Sequence, residues 1–149
     1  MKYGYRKGPR CLIEFPVGAS EVFKRDSANL VISDGAGTGR VIPATDAGQA
    51  KIIGWAYVSK DFTTPASPEG ADKVAVDISF DSVYEIPANA AVSASLVGHT
   101  CDIVVTANVC SANVSANTYK VIQILAVNVD KQSVFARLVA KNITVDGVV

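Results

Sequence analysis

The stretch "KVAVDISF", residues 73–80, decides how the rest of the chain is read. Val74, Val76, Ile78 and Phe80 fall on one parity, and Lys73, Ala75, Asp77 and Ser79 on the other. That is the two-residue period of a strand with one face in a core and the other in water. Toward the amino terminus, "RVIPA" (40–44) and "KIIGWAYVS" (51–59) read as two more strands, joined through "TDAGQA" (45–50), where Thr45 or Asp46 can start a single helical turn. Gly54 inside the second run marks a bulge or a close backbone approach. Toward the carboxyl terminus, "YKVIQILAVN" (119–128) is apolar on both parities, which predicts a central strand covered on both sides. "SVFARLVAK" (133–141) returns after "VDKQ" (129–132), a polar turn suited to side-chain bonding by Asp130, so these two runs form a hairpin. Only "SASLVG" (93–98) reads as helical, with Ser93 at the N-cap and Gly98 at the left-handed end of one or two turns.

The predicted fold class is therefore all-β: a compact antiparallel barrel or sandwich with one or two short helical turns and an extended amino-terminal arm. A chain of 149 residues, 49% of them hydrophobic, holds one well-buried core and falls short of two domains. The division expected is an arm and lead-in over 1–27 and a single β domain over 28–149. Two further stretches read as loose: "KDFTTPASPEGAD" (60–72), with Pro65, Pro68 and Gly70, and "TANVCSANVSANT" (106–118), rich in Ala, Asn and Ser.

Fourteen basic side chains balance fourteen acidic ones, so no overall field draws the chain to nucleic acid or an anionic membrane. No apolar run approaches the roughly 20 residues that span a bilayer, and "CLIEF" (11–15) is too short for a signal-peptide core. The expectation is a soluble protein made in the cytoplasm. Three cysteines without a close-set pattern predict reduced thiols.

"GHTCDIVVTANVC" (98–110) carries the one histidine, His99, with Cys101 and Cys110. A zinc site needs close ligand pairs on adjacent turns of backbone, and here only His99 and Cys101 share a strand face. The run reads instead as a strand with small apolar thiols, and neither a metal nor a cofactor is expected. A histidine-dependent nucleophile would need His99, with no G-x-S-x-G elbow beside it, so no catalytic residue is assigned. "DGAGTGR" (34–40) lacks the order of a phosphate loop and fits a hairpin whose Gly35, Gly37 and Gly39 take positive φ. The sequons at Asn113 and Asn142 carry no weight without a secretory route. Asp81 and Glu85 in "FDSVYE" read as a solvated strand edge.

The first ten residues, "MKYGYRKGPR", interleave Lys2, Arg6, Lys7 and Arg10 with Tyr3 and Tyr5. One reading is a solvated tail. The other is an arm that orders on a partner, with tyrosines as anchors and basic groups meeting an acidic surface.

The order "NLVISDGAGTGRVIPATDAGQAKIIGWAYVSKD" (29–61), a Pro/Gly loop, and then "KVAVDISFDSVYEIPA" (73–88) resembles the small head-decoration, or cement, proteins of tailed bacteriophages. The matching segments are a strand pair leading into "IIGWAYVS", followed by a strand of a compact fold sometimes called a β-tulip. The stretch from "PANAAVSASLVGHTCDIVV" (87–105) through "YKVIQILAVNVDKQSVFARLV" (119–139) looks like the extended version in marine phage structural proteins, so the resemblance spans roughly residues 28–145. It implies a virion protein on the capsid exterior. Such a protein binds the major capsid protein, is a homo-oligomer with a trimer favoured, and reinforces joints between capsid hexamers, with Lys2, Tyr3, Tyr5, Arg6, Lys7 and Arg10 as the capsid-contact arm. The chain is longer than the simplest members from Ala88 onward, which leaves the symmetry open. The alternative is a carbohydrate-binding β-sandwich on a virion or cell surface, in which Trp55, Tyr57 or Tyr84 stacks on sugar rings.

Overall fold

The computed structural model describes residues 3–139. Its strands are β1 (Gly4–Lys7), β2 (Leu12–Pro16), β3 (Val22–Phe23), β4 (Leu30–Ser33), β5 (Val41–Pro43), β6 (Ile52–Ala56) and β7 (Phe62–Thr63). They continue as β8 (Lys73–Asp77), β9 (Val83–Pro87), β10 (Thr100–Thr106), β11 (Val109–Asn113), β12 (Ile122–Asn128) and β13 (Ser133–Leu138). Two single 3-10 turns, Gln49–Lys51 and Ala94–Leu96, interrupt them. The chain is all-β, and every ladder between named strands is antiparallel.

A six-stranded sheet in the order β1-β9-β13-β12-β10-β11 faces a five-stranded sheet, β2-β8-β6-β4-β5, and the β3-β7 ribbon forms a small third sheet. Leu30, Ile52 and Trp55 meet Ile86, Ile103 and Ile124 in the core between the large sheets. Val31, Ala56, Val74 and Val76 pack with Phe23 in a second cluster on the other face of the five-stranded sheet. There Phe23 and Phe62 of the ribbon stack with ring centroids 4.8 Å apart. Strand β4 is therefore apolar on both parities because it is buried on both faces, with Leu30 and Ile32 in one core and Val31 in the other.

Strand β12 corrects the expectation of cover on both sides. It is central, between β13 and β10, but its register shifts between Ile124 and Ala126. An extra residue in one strand flips the parity of everything beyond it. Ile122 and Ile124 face the core, Ala126 is exposed, and Val127 returns to pack against the core. The β12–β13 hairpin forms, but the residue that bonds its turn is Asn128, whose Oδ1 accepts from the N–H of Lys131.

Both stretches read as loose contain strands. Thr63 and Phe62 of the first pair with Val22 and Phe23. The second carries β11, turned back on β10 by Ala107 (φ 51°) and Asn108 (φ 64°). Two left-handed central residues make the mirror-image turn whose twist matches a two-residue hairpin.

The amino-terminal arm needs the largest correction. Residues 4–16 form two strands joined by a bend at Gly8, and they lie along the fold: β1 pairs with β9 in one sheet, and β2 pairs with β8 in the other. The reading missed this because basic and tyrosine side chains break the apolar period that marks a strand, and the long-range partners alone restore it. The helical turn after Thr45 starts later than expected, with Gly48 at its N-cap, and Ser93 makes no side-chain cap bond, but the glycine readings hold. Gly54 sits beside a bulge in its own strand, where Ile53 is the extra residue between the Val31–Gly54 and Ile32–Ile52 pairs, and a Cβ at Gly54 would lie 2.3 Å from the carbonyl oxygen of Asp77. Gly35, Gly37, Gly39 and Gly98 all have positive φ.

Candidate functional site

The amino-terminal residues singled out as an arm converge on two buried carboxylates. Strand β1 lays Tyr5 opposite Tyr84, edge-on at 5.8 Å between centroids. The Arg10 guanidinium sits 4.5 Å above the Tyr5 ring, and its Nε lies 3.8 Å from Oδ2 of Asp77. Tyr3 is buried, with the Lys131 ammonium 5.2 Å from its ring centroid. Lys7 is exposed, and Lys2 lies outside the described residues.

Asp77 belongs to the parity expected to face water, yet it is 0% exposed. That face of β8 looks across to the six-stranded sheet, where the Tyr84 hydroxyl donates to Oδ2 at 2.8 Å. Oδ1 accepts from the N–H of Cys11 at 3.0 Å and of Ser79 at 3.1 Å. Burial pushes the carboxyl up, but the Ser82 side chain, the Cys11 N–H and the Tyr84 hydroxyl outweigh it, and the net pKa is lowered. The same pairing, added to burial, drives the Tyr84 phenol well above its ordinary range. Phe80, expected inside, is exposed because β8 ends at Asp77 and the chain turns away.

Glu85 corrects the solvated-edge reading in the same way. It is buried in β9, and its Oε2 accepts from Arg6 Nε and Nη2 at 3.0 and 2.8 Å. Its Oε1 accepts from Ser133 Oγ at 2.8 Å and lies 2.7 Å from Lys131 Nζ. Burial opposes ionisation here too, but Lys131, Ser133 and Arg6 prevail and the pKa is lowered. Asp77, Tyr84 and Glu85 are the residues that sequence reasoning missed. The signal available was a carboxylate inside an apolar run opposite an arginine-rich segment.

The residues weighed for chemistry stand apart. His99 is exposed in the bend after the second 3-10 turn. Cys101 and Cys110 are buried free thiols on β10 and β11, each pushed up to about 12, by burial first and then by Asp102 or Asp46. A thiol so shifted is not a nucleophile near neutrality. Among the described residues, no group of three or more His, Cys, Asp or Glu side chains is placed to hold a metal ion, and no helix is long and apolar enough to cross a membrane.

Of the aromatics weighed for sugar stacking, Trp55 is 1% exposed and stacks on buried Tyr84 at 4.4 Å. Tyr57 alone of the three is open, at 51%. Leu12 and Ile13, on the β2 edge of the five-stranded sheet, and Phe80, beyond the end of β8, are further large apolar side chains left exposed. No family model matches the chain, and no curated protein and no solved structure matches it either.

Proposed function

We propose that the chain is a non-enzymatic virion structural protein, a decoration or cement protein that binds the outside of a phage head and stabilises contacts between major capsid protein subunits. A homo-oligomer, with a trimer favoured, is the form in which it does so. The observation that carries this reading is the division of the surface from the interior. Cys101, Cys110, Asp77 and Glu85 are enclosed, while Leu12, Ile13, Tyr57 and Phe80 stand in solvent. Leu12 and Ile13 leave the β2 edge apolar and open, and exposed apolar surface of this kind marks a protein contact. The carbohydrate-binding alternative has Tyr57 alone to stack on a sugar.

The test is to add the purified chain to phage heads lacking it and to measure bound copies and the temperature at which the heads rupture. Saturable binding with a raised rupture temperature is expected, and no binding overturns the proposal. Lys7→Glu probes the basic segment, because Lys7 is exposed and its replacement leaves the buried clamps intact. A tenfold weaker binding is expected if this segment meets an acidic capsid surface.

A further inference from the structure

A sheet edge with free backbone donors is a template for another strand, and folded proteins cover or blunt their edges. The two large sheets have four edges, and three are managed. Strand β5 is bridged by Val17, with the Gly18 N–H donating to Val41 O. Strand β11 is bridged by Ala88, with Asn89 N–H donating to Ala112 O and Ala28 N–H to Cys110 O. Strand β1 carries a bulge and the charged Arg6 and Lys7. Strand β2 is regular, and among the described residues nothing pairs with its outer side.

The hydrogen bonds fix which groups of β2 point outward. Ile78 N–H donates to Cys11 O and Val17 N–H to Asp72 O, so residues 11, 13, 15 and 17 bond inward to β8. The outward set is then Leu12, Glu14 and Pro16. Proline has no N–H, so the free donors are those of Leu12 and Glu14, two groups placed symmetrically about Ile13. Leu12 and Ile13 are 52% and 42% exposed, with no lysine among residues 11–16 to deter pairing.

We infer that β2 is a self-association edge, whose occupant is β2 of a second copy, antiparallel about a two-fold axis through Ile13. In that register Leu12 and Glu14 exchange their N–H and C=O groups with Glu14 and Leu12 of the other copy, which satisfies all four free donors of the pair. Pro16 falls outside this window, so its missing donor costs nothing. On the outer face, Ile13 meets Ile13, and the large Phe15 lies across from the small Cys11, an all-apolar and size-matched set. A longer strand of unrelated sequence would run past Pro16 and lose a bond there. A single strand pair buries well under the ~1,200 Å² of a stable interface. The contact is therefore weak in dilute solution and strengthens where copies are held close together.

Disulfide trapping tests both the contact and its register. In a Cys11→Ser background, Ile13→Cys brings two thiols onto a non-hydrogen-bonded pair, within the Cβ separation a disulfide accepts. Native Cys11 lies four positions away from its counterpart, more than about 12 Å, too far to bridge. Mild oxidation is expected to give covalent dimer from Ile13→Cys and at least tenfold less from the native chain. Adding Leu12→Lys to Ile13→Cys is expected to cut the yield tenfold without moving the melting temperature, since Leu12 is exposed. Monomer from Ile13→Cys, equal yields from positions 11 and 13, or indifference to Leu12→Lys overturns the inference. The first of these outcomes would assign the edge to a strand of another protein or to this chain's own residues 140–149.

Discussion

Asp77 is held by two backbone N–H groups, the Tyr84 hydroxyl, the Ser82 side chain and the more distant Arg10 guanidinium. An asparagine there keeps an oxygen for the N–H donors but turns an NH2 group toward the phenol and the arginine. Removing one partner from a buried charged network leaves the other uncompensated, so Asp77→Asn is expected to cost about 2–4 kcal/mol at neutral pH. The pH dependence follows from the lowered native pKa. The unfolded chain, with an ordinary aspartate near 3.9, takes up the proton first as pH falls. The stabilisation is thus complete above about pH 5 and is lost as pH drops through the lower native value. Glu85 acts in the same direction and window. Urea unfolding at pH 7, 5 and 3 is expected to show a steep acid loss for the native sequence and a shallower one for Asp77→Asn, with Glu85 supplying what remains. Parallel acid limbs for the two proteins would remove Asp77 from the account.

The β10–β11 hairpin turns on Ala107 and Asn108, both left-handed. Asparagine visits that region readily, whereas alanine pays about 1–2 kcal/mol to hold it. Ala107→Gly removes the Cβ penalty and partly offsets this through the greater freedom of the unfolded chain. The expected net gain is about 0.5–1 kcal/mol, read as a rise of about 1–4 °C in melting temperature. A fall on substitution would mean that the side chain at 107 contributes more than its backbone costs. The same hairpin marks where sequence reading stops. Val74, Val76, the Gly54 approach and the β12–β13 hairpin were legible because period and turn chemistry are local properties. "TANVCSANVSANT" was not, because Ala107 is a poor turn residue by propensity and β11 takes its burial from the facing elements. The flip of parity within β12 was hidden for a related reason, since a bulge leaves no mark in an apolar run. Asp77 and Glu85 could be read only as polar positions on strands, and their burial depends on Arg6, Arg10 and Tyr84 arriving from elsewhere in the chain.

At the scale of the whole molecule, residues 4–16 tie the two large sheets together. Strand β1 belongs to one sheet and β2 to the other, and between them Arg6 engages Glu85 while Arg10 faces Asp77. A detachable arm and an integral strand predict opposite results for truncation. Deleting residues 1–7 removes the β1 ladder, the buried Tyr3 and half-buried Tyr5, and one of the two cations on Glu85. Two aromatic rings at about 1.5–3 kcal/mol each, with a buried carboxylate stripped of a partner, put the loss above about 4 kcal/mol. That is a large share of the 5–15 kcal/mol that holds a typical domain together. The truncated chain is expected to melt at least about 10 °C lower, with faster amide exchange along β9 and β13. Lys7→Ala, which touches only an exposed side chain, is expected to stay within about 0.5 kcal/mol of the native sequence. If the truncated chain instead melts within a few degrees of the full one, β1 is an appendage laid on a finished fold. Truncation would then become a clean probe of partner binding, as it cannot be while the segment closes the core.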